Sequence, residues 1–252
     1  MMAGPILAKR YGDYREYAVT EAPSGALSCG WMHRAPEGAP ATRIAVVPDG
    51  CVDLLWTESG LLVAGPDRTA AFPQLAPGET IFGLRLRPGI ARHLLRCDID
   101  SLTGQVVALD AIRRTAFSTC HDRMLAAEDP LERLRLLQAA FAREVRDLPR
   151  PRPEAGALHA LSSHLPAEAI AAEIGVTDRT LRRLSAAEFG YGPRTLSRIL
   201  RLQRLLGRMA DAHLSLAGLA AEAGFADQAH MNRDVLALTS LTPGEIRRQM
   251  QG

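Results

Sequence analysis

Between Ile170 and Arg233 the chain carries one pattern twice. IAAEIGVTDRTLRR runs from Ile170 to Arg183, and LAAEAGFADQAHMNR from Leu219 to Arg233. Each copy has a short Ala-rich helical stretch, a Gly at its end, an apolar residue, and Thr177 or Asp227 opening a new helix. Gly supplies the left-handed or tight turn, and Thr or Asp caps the helix that follows. This is the pattern of two helix-turn-helix units joined by a helix, and it makes double-stranded DNA the leading candidate partner of the C-terminal half.

Charge supports that reading locally. The net charge of the 252 residues is only +2. Met1 to Glu154 holds 19 basic and 19 acidic residues, whereas Val176 to Arg208 holds eight Arg against Asp178 and Glu188, a balance of +6. A compact basic stretch in a neutral chain marks a binding face more than a general affinity for polyanions. Lys9 is the only lysine. Arg is the residue suited to bidentate phosphate and guanine recognition.

The first unit predicts a reading helix from Asp178 with Arg179, Arg182 and Arg183 at i, i+3 and i+4, hence on one exposed face. Thr177 and Thr180 open it. The second predicts a face of Gln228, His230, Asn232 and Arg233, where Gln and Asn suit adenine and Arg suits guanine. Ala171, Ala172, Ala220 and Ala221 permit close helix crossings, with Leu181, Leu184 and Met231 facing the packing contact. The linking helix PRTLSRILRLQRLLGRMAD carries Arg194, Arg198, Arg201 and Arg208 along one side. Of these, Arg194 and Arg198 are the candidate phosphate contacts, which position without specifying sequence. Its 17 residues to Met209 span roughly 25 Å at ~1.5 Å per residue, a bar able to hold two helices in successive major grooves. Seven C-terminal helices are expected: 157–164, 167–173, 178–188, 193–210, 216–223, 228–237 and a piece from Pro243.

The N-terminal half predicts short strands at 14–19, 26–33, 43–47, 51–56, 61–65 and 80–87, punctuated by Pro and Gly, which is the spacing of a small barrel or sandwich. TIFGLRLR alternates Phe82, Leu84 and Leu86 against Gly83, Arg85 and Arg87. Helices are expected after Pro88, with a helical or mixed segment over 98–112 and two helices between Ser118 and Arg146. The apolar stripe of the second, Leu131, Leu134, Leu137 and Phe141, suits either a core contact or a dimer interface. The expected division is an N-terminal β-rich sensor or dimerisation domain over 1–148 with a helical end, a Pro-rich linker over 149–156, and a DNA-binding domain over 157–252.

Cys29, Cys51, Cys97 and Cys120 fit no zinc spacing and no disulfide framework, and His33 and His93 stand alone, so neither a metal nor a cofactor is expected. No apolar run approaches the ~18 residues of a membrane span, and Met1–Ala8 is too short for a leader, so a cytoplasmic location is expected. Cys51, Asp53, Trp56, Arg85 and Arg87 are the candidate effector-binding residues: a carboxylate and an Arg pair for a polar ligand, with Trp56 as an apolar wall.

The segments IAAEIGVTDRTLRRL, YGPRTLSRILRLQRLL, LAAEAGFADQAHMNRDVLALTSLTP and the following Ile246-Arg247 together resemble the AraC/XylS family of bacterial transcription regulators. The resemblance covers about 95 residues. It implies an all-α DNA-binding domain whose two units read adjacent major grooves, with Arg179, Arg182 and Arg183 in the first reading helix and Gln228, His230 and Arg233 in the second. This chain departs from the family at Ser185, Val235, Leu236 and Ser240, where Phe, an aromatic, a basic residue and Gly are usual. PDGCVDLLW, AGPD and FGLRLRPG resemble an uncharacterised sensor-like β domain that precedes such DNA-binding domains, many of which are cupin-like barrels. The resemblance therefore implies an α+β chain that regulates transcription, gated by a small-molecule effector or by homodimerisation, with RNA polymerase as a further candidate contact and no enzymatic role. The alternatives are a DNA-repair alkyl-transfer protein with Cys51 as nucleophile, and a ligand-binding module with a weakened DNA domain.

Overall fold

In the computed structural model all residues are described except 1–4, 20–24, 39–42, 114–117, 149–150 and 252. Among the described residues the N-terminal part has eight strands: β1 (Ile6–Leu7), β2 (Asp13–Tyr17), β3 (Leu27–Arg34), β4 (Ile44–Ala45), β5 (Asp53–Thr57), β6 (Gly60–Ala64), β7 (Thr80–Leu86) and β8 (Val106–Ala108). Six of them form an antiparallel sheet in the order β2-β3-β7-β5-β6-β8, and β1 pairs with β4 in parallel. The alternation read in TIFGLRLR holds: Phe82, Leu84 and Leu86 are buried, and Trp56 and Leu54 join them from β5. Segment 98–112, expected to be helical or mixed, contains a 3-10 turn over Ile99–Leu102, then β8, then a single helical turn, α2 (Leu109–Ile112).

That core face is covered by α1 (Ile90–Leu95), α3 (Ser118–Ala126) and α4 (Pro130–Val145). Leu134, Leu137, Phe141 and Val145 of α4 lie in this core, and Leu131 is exposed. Apart from Leu131, the apolar stripe is thus a core contact within the chain. Gly30 lets α4 approach, since a Cβ there would press on Leu134 and Gln138.

The C-terminal part is seven helices: α5 (Pro153–Ser162), α6 (Ala167–Glu173), α7 (Asp178–Phe189), α8 (Pro193–Arg208), α9 (Leu216–Ala223), α10 (Gln228–Thr239) and α11 (Pro243–Gln251). α5 starts four residues before the expected 157. Pro153 occupies its first turn, where the missing N–H costs nothing, so part of the expected linker is helix. Its first two residues, 149 and 150, lie outside the described residues. No described helix is long and apolar enough to cross a membrane.

Candidate nucleic-acid interface

Each unit is built as its caps dictate. The Thr177 hydroxyl accepts from the Thr180 N–H, and the Asp227 carboxylate accepts from the His230 N–H at 2.6 Å, fixing the starts of α7 and α10. Gly190 and Gly224 close α7 and α9 at φ +80° and +84°, and Gly175 turns the chain after α6 at +70°. Leu181 and Leu184 bury the back of α7, and Met231, Val235 and Leu238 that of α10. Of the alanines expected at the crossings, Ala171 and Ala220 are buried while Ala172 and Ala221 face solvent. One of each pair meets its neighbour, because adjacent positions on a helix point about 100° apart.

With their backs buried, the helices present the expected fronts. Arg179, Arg182 and Arg183 are exposed on α7, as are Gln228, Asn232 and Arg233 on α10. His230 is half-buried. Its ring packs edge-on against Phe225, and its Nδ1 accepts from the Ala226 N–H, so it braces the turn. The arginines of α8 separate into different tasks. Arg194 is exposed at the helix start. Arg198 donates to Asp234 of α10 at 2.9 Å, Arg201 lies over the Phe225 ring, and Arg208 pairs with Glu222 at 3.3 Å. Arg198 therefore ties the linking helix to the second unit, a role set by Asp234, which the repeat pattern does not single out.

The family departures have local accounts. Ser185 is fully buried and donates to the Tyr191 carbonyl at 2.6 Å, so a hydroxyl holds the turn after α7 where an aromatic is usual. Val235 fills the core, and Leu236 is exposed. Ser240 adopts φ +58°, a left-handed position that explains why Gly is usual there.

The candidate effector residues split between the two faces of the sheet. Asp53 and Arg85 come together: the guanidinium bonds the carboxylate at 3.2–3.3 Å, reaches Asp49 at 3.0 Å, and Trp31 Nε1 donates to Asp53 at 3.2 Å. Trp31 lies across Gly83, where any Cβ would overlap the indole, and Tyr14 packs beside it. Burial pushes the Asp53 carboxyl up against the pull of Arg85, and the carboxylates keep Arg85 charged despite its own burial. Trp56 points the other way. It is fully buried, donates to His121 Nδ1 at 3.0 Å and packs on Phe82, so it belongs to the core. Arg87 caps the Leu27 carbonyl. Burial raises the Cys51 thiol well above its ordinary value, the opposite of what a nucleophile requires.

The two parts also meet. Gln203 of α8 donates to the Pro48 carbonyl at 2.7 Å, and Arg92 of α1 pairs with Glu188 of α7 at 3.3 Å. At the other end, Arg10 donates to the carbonyls of Gln249 and Met250, and the Leu7 N–H to Gln249.

A helix-turn-helix domain family model matches residues 170–249, and a model for a domain of unknown function (DUF6597) matches residues 20–108. No curated protein matches the chain. Among solved structures, the C-terminal domain of AraT, a response regulator from Geobacillus stearothermophilus, aligns at 20% identity over 40% of this chain and 88% of that one, with a TM-score of 0.37. ToxT from Vibrio cholerae O395 aligns at 11% identity over 88% of this chain and 98% of its own, TM-score 0.48. Wild-type ToxT with a bound unsaturated fatty acid aligns at 10% identity over 91% and 97%, TM-score 0.46. Residues 170–249 therefore carry a helix-turn-helix domain of the AraC type, the DNA-binding part of a transcription regulator, and residues 20–108 a domain of unknown function.

Proposed function

We propose that this regulator reads DNA chiefly through Arg179, Arg182 and Arg183, with a second, mixed-polar face of Gln228, Asn232 and Arg233. The observation that carries the reading is the arginine triad itself: three exposed guanidiniums on one face of a helix whose opposite face is buried. Each Arg that bonds a guanine in bidentate fashion contributes roughly 1–3 kcal/mol of discrimination. Thr177 and Thr180 at the start of α7, and Arg194 at the start of α8, take phosphate. Arg198 and His230 act behind the reading faces, as their partners Asp234 and Phe225 suggest.

The N-terminal domain acts as the gate, within a cytoplasmic regulator rather than an enzyme. Its effector face is the polar side of the sheet around Asp53, Arg85 and Trp31, which suits a small polar ligand with one flat surface to lay on the indole. Trp56 and Arg87 take no part. The test is operator binding by Arg183→Ala in the full chain at fixed salt. Affinity for its own selected duplex should fall while thermal stability is unchanged; full retention of affinity overturns the assignment.

A further inference from the structure

The segment Gly65–Ala70 sits where one short stretch of the N-terminal domain reaches the ends of both reading helices. Arg68 Nη2 approaches the carbonyl of Gly190, the residue that closes α7, at 3.4 Å. Two residues later the Ala70 N–H donates to the Leu238 carbonyl in the last turn of α10, at 2.7 Å. Thr103 adds a second donor to Gly190 O at 2.9 Å. The last carbonyls of a helix have no partner within it. Here the N-terminal domain supplies partners at the ends of both helices.

The segment is itself fixed. The Gly65 N–H donates to Gln105 O at 2.9 Å, and the Gly104 N–H to Pro66 O at 3.1 Å, which ties it to the turn carrying Thr103. Neither anchor has room to slide: a Cβ on Gly65 would overlap the Leu102 carbonyl, and one on Gly190 would overlap Thr103 and Pro66. The contacts that Arg68, Thr103 and Ala70 make with the helices lie at the C-terminal ends of α7 and α10. Arg179, Arg182, Arg183, Asn232 and Arg233 remain exposed, so the contact does not cover the reading faces.

We infer that residues 65–70 form a strap that sets the separation of the two reading helices, making Arg68, Thr103 and the Ala70 backbone positioning groups for DNA recognition. α8 joins the units on one side and Arg198 braces it against α10. The strap ties the far ends, so the two helices are held at two places rather than one. A rearrangement of the N-terminal domain would then change DNA affinity by altering the separation of the units, with no residue of either reading face displaced. The inference rests on the proposed reading of DNA by α7 and α10.

The experiment uses the full chain and a duplex recovered from a random library by the wild-type protein, rebuilt with spacers lengthened and shortened by one to four base pairs between its two elements. Three variants are compared: two glycines inserted between Arg68 and Thr69, Thr103→Val, and two glycines inserted between Glu58 and Ser59 at the exposed β5–β6 turn. The wild type and the Glu58–Ser59 insertion should bind one spacing best. The strap insertion should lose affinity at that spacing by roughly 5- to 150-fold, the usual size of a coupling, and flatten the dependence on spacer length. Thr103→Val should move the same way by less, and Thr103→Ser should restore the wild-type profile. A strap insertion that folds, by its thermal transition, and keeps the wild-type spacing profile overturns the inference while leaving the DNA reading standing. Recovery of no duplex by the wild type overturns the reading and the inference with it. Should the insertion fail to fold, Thr103→Val decides, and an unchanged profile in that variant counts against the strap.

Discussion

Replacing Gly190 with alanine measures how firmly the N-terminal domain is seated on the first reading unit. Two costs add at this position. Its φ of +80° is a conformation that an L residue adopts at a cost of roughly 1–2 kcal/mol. The new methyl also meets Thr103 Oγ1, Pro66 and the Ile99 carbonyl, none of which can withdraw freely. Overpacking of this kind adds about 1–3 kcal/mol. Gly190→Ala should therefore cost about 2–5 kcal/mol. Gly224 and Gly175 are internal controls: their φ values are +84° and +70°, but a Cβ would meet only Arg204 at 3.9 Å in one case and open space in the other. Alanine at either should cost about 1–2 kcal/mol. The assay is urea unfolding of the full chain, read as midpoint shifts at constant slope. A Gly190→Ala variant no less stable than Gly224→Ala would show that the seam is loose in solution, and would refute the packing argument.

Ser240→Gly should stabilise the chain by about 1 kcal/mol, since the serine stands at φ +58°; an unchanged midpoint in thermal unfolding contradicts this. Asp67→Asn should stabilise by roughly 1–2 kcal/mol at pH 7.5 and not at all at pH 3.5. Burial raises this half-buried carboxyl from 3.8 to about 6, with Asp49 adding to the effect. Between those values the native state holds the proton that the unfolded chain has lost, so stability falls as pH rises through that window and the cost is complete above it. A pH-independent difference between variant and wild type refutes the assignment. Arg85→Met should cost about 2–3 kcal/mol, less than the ~3–5 of a fully buried pair, because it strands Asp53 and Asp49 at a partly solvated site. Asp53→Asn in the same background should recover part of the loss, and an additive double variant argues against the pairing.

What could be read from the residues was what is local. Caps at Thr177 and Asp227, left-handed glycines at 175 and 224, and the alternation around Phe82, Leu84 and Leu86 each depend on a few neighbours, and all are found as expected. β8 is not legible in the sequence because three residues carry too little period to separate Val106–Ala108 from a helix. The sequence leaves Trp56 open as a ligand wall because a strand gives each residue one of two faces, and which face is inside depends on where α3 and α4 dock. Asp53 and Arg85 could be paired by type but not by position. Their meeting follows from register, which sets them opposite each other on β5 and β7. The seam was out of reach of pattern reading. Arg68 and Gly190 are 122 positions apart, Leu7 and Gln249 are 242, and backbone carbonyls accept most of these bonds, so no side-chain pattern announces them.

Sequencing of the duplexes recovered by the full-length protein from a random library, beside those recovered by Arg183→Ala and Arg233→Ala, tests the central claim most directly. The account predicts a motif of two elements centred about 10–10.5 base pairs apart. Arg183→Ala should erase one element and Arg233→Ala should weaken the other, with the first loss the larger. A single element, or a motif that both variants leave unchanged, would contradict it.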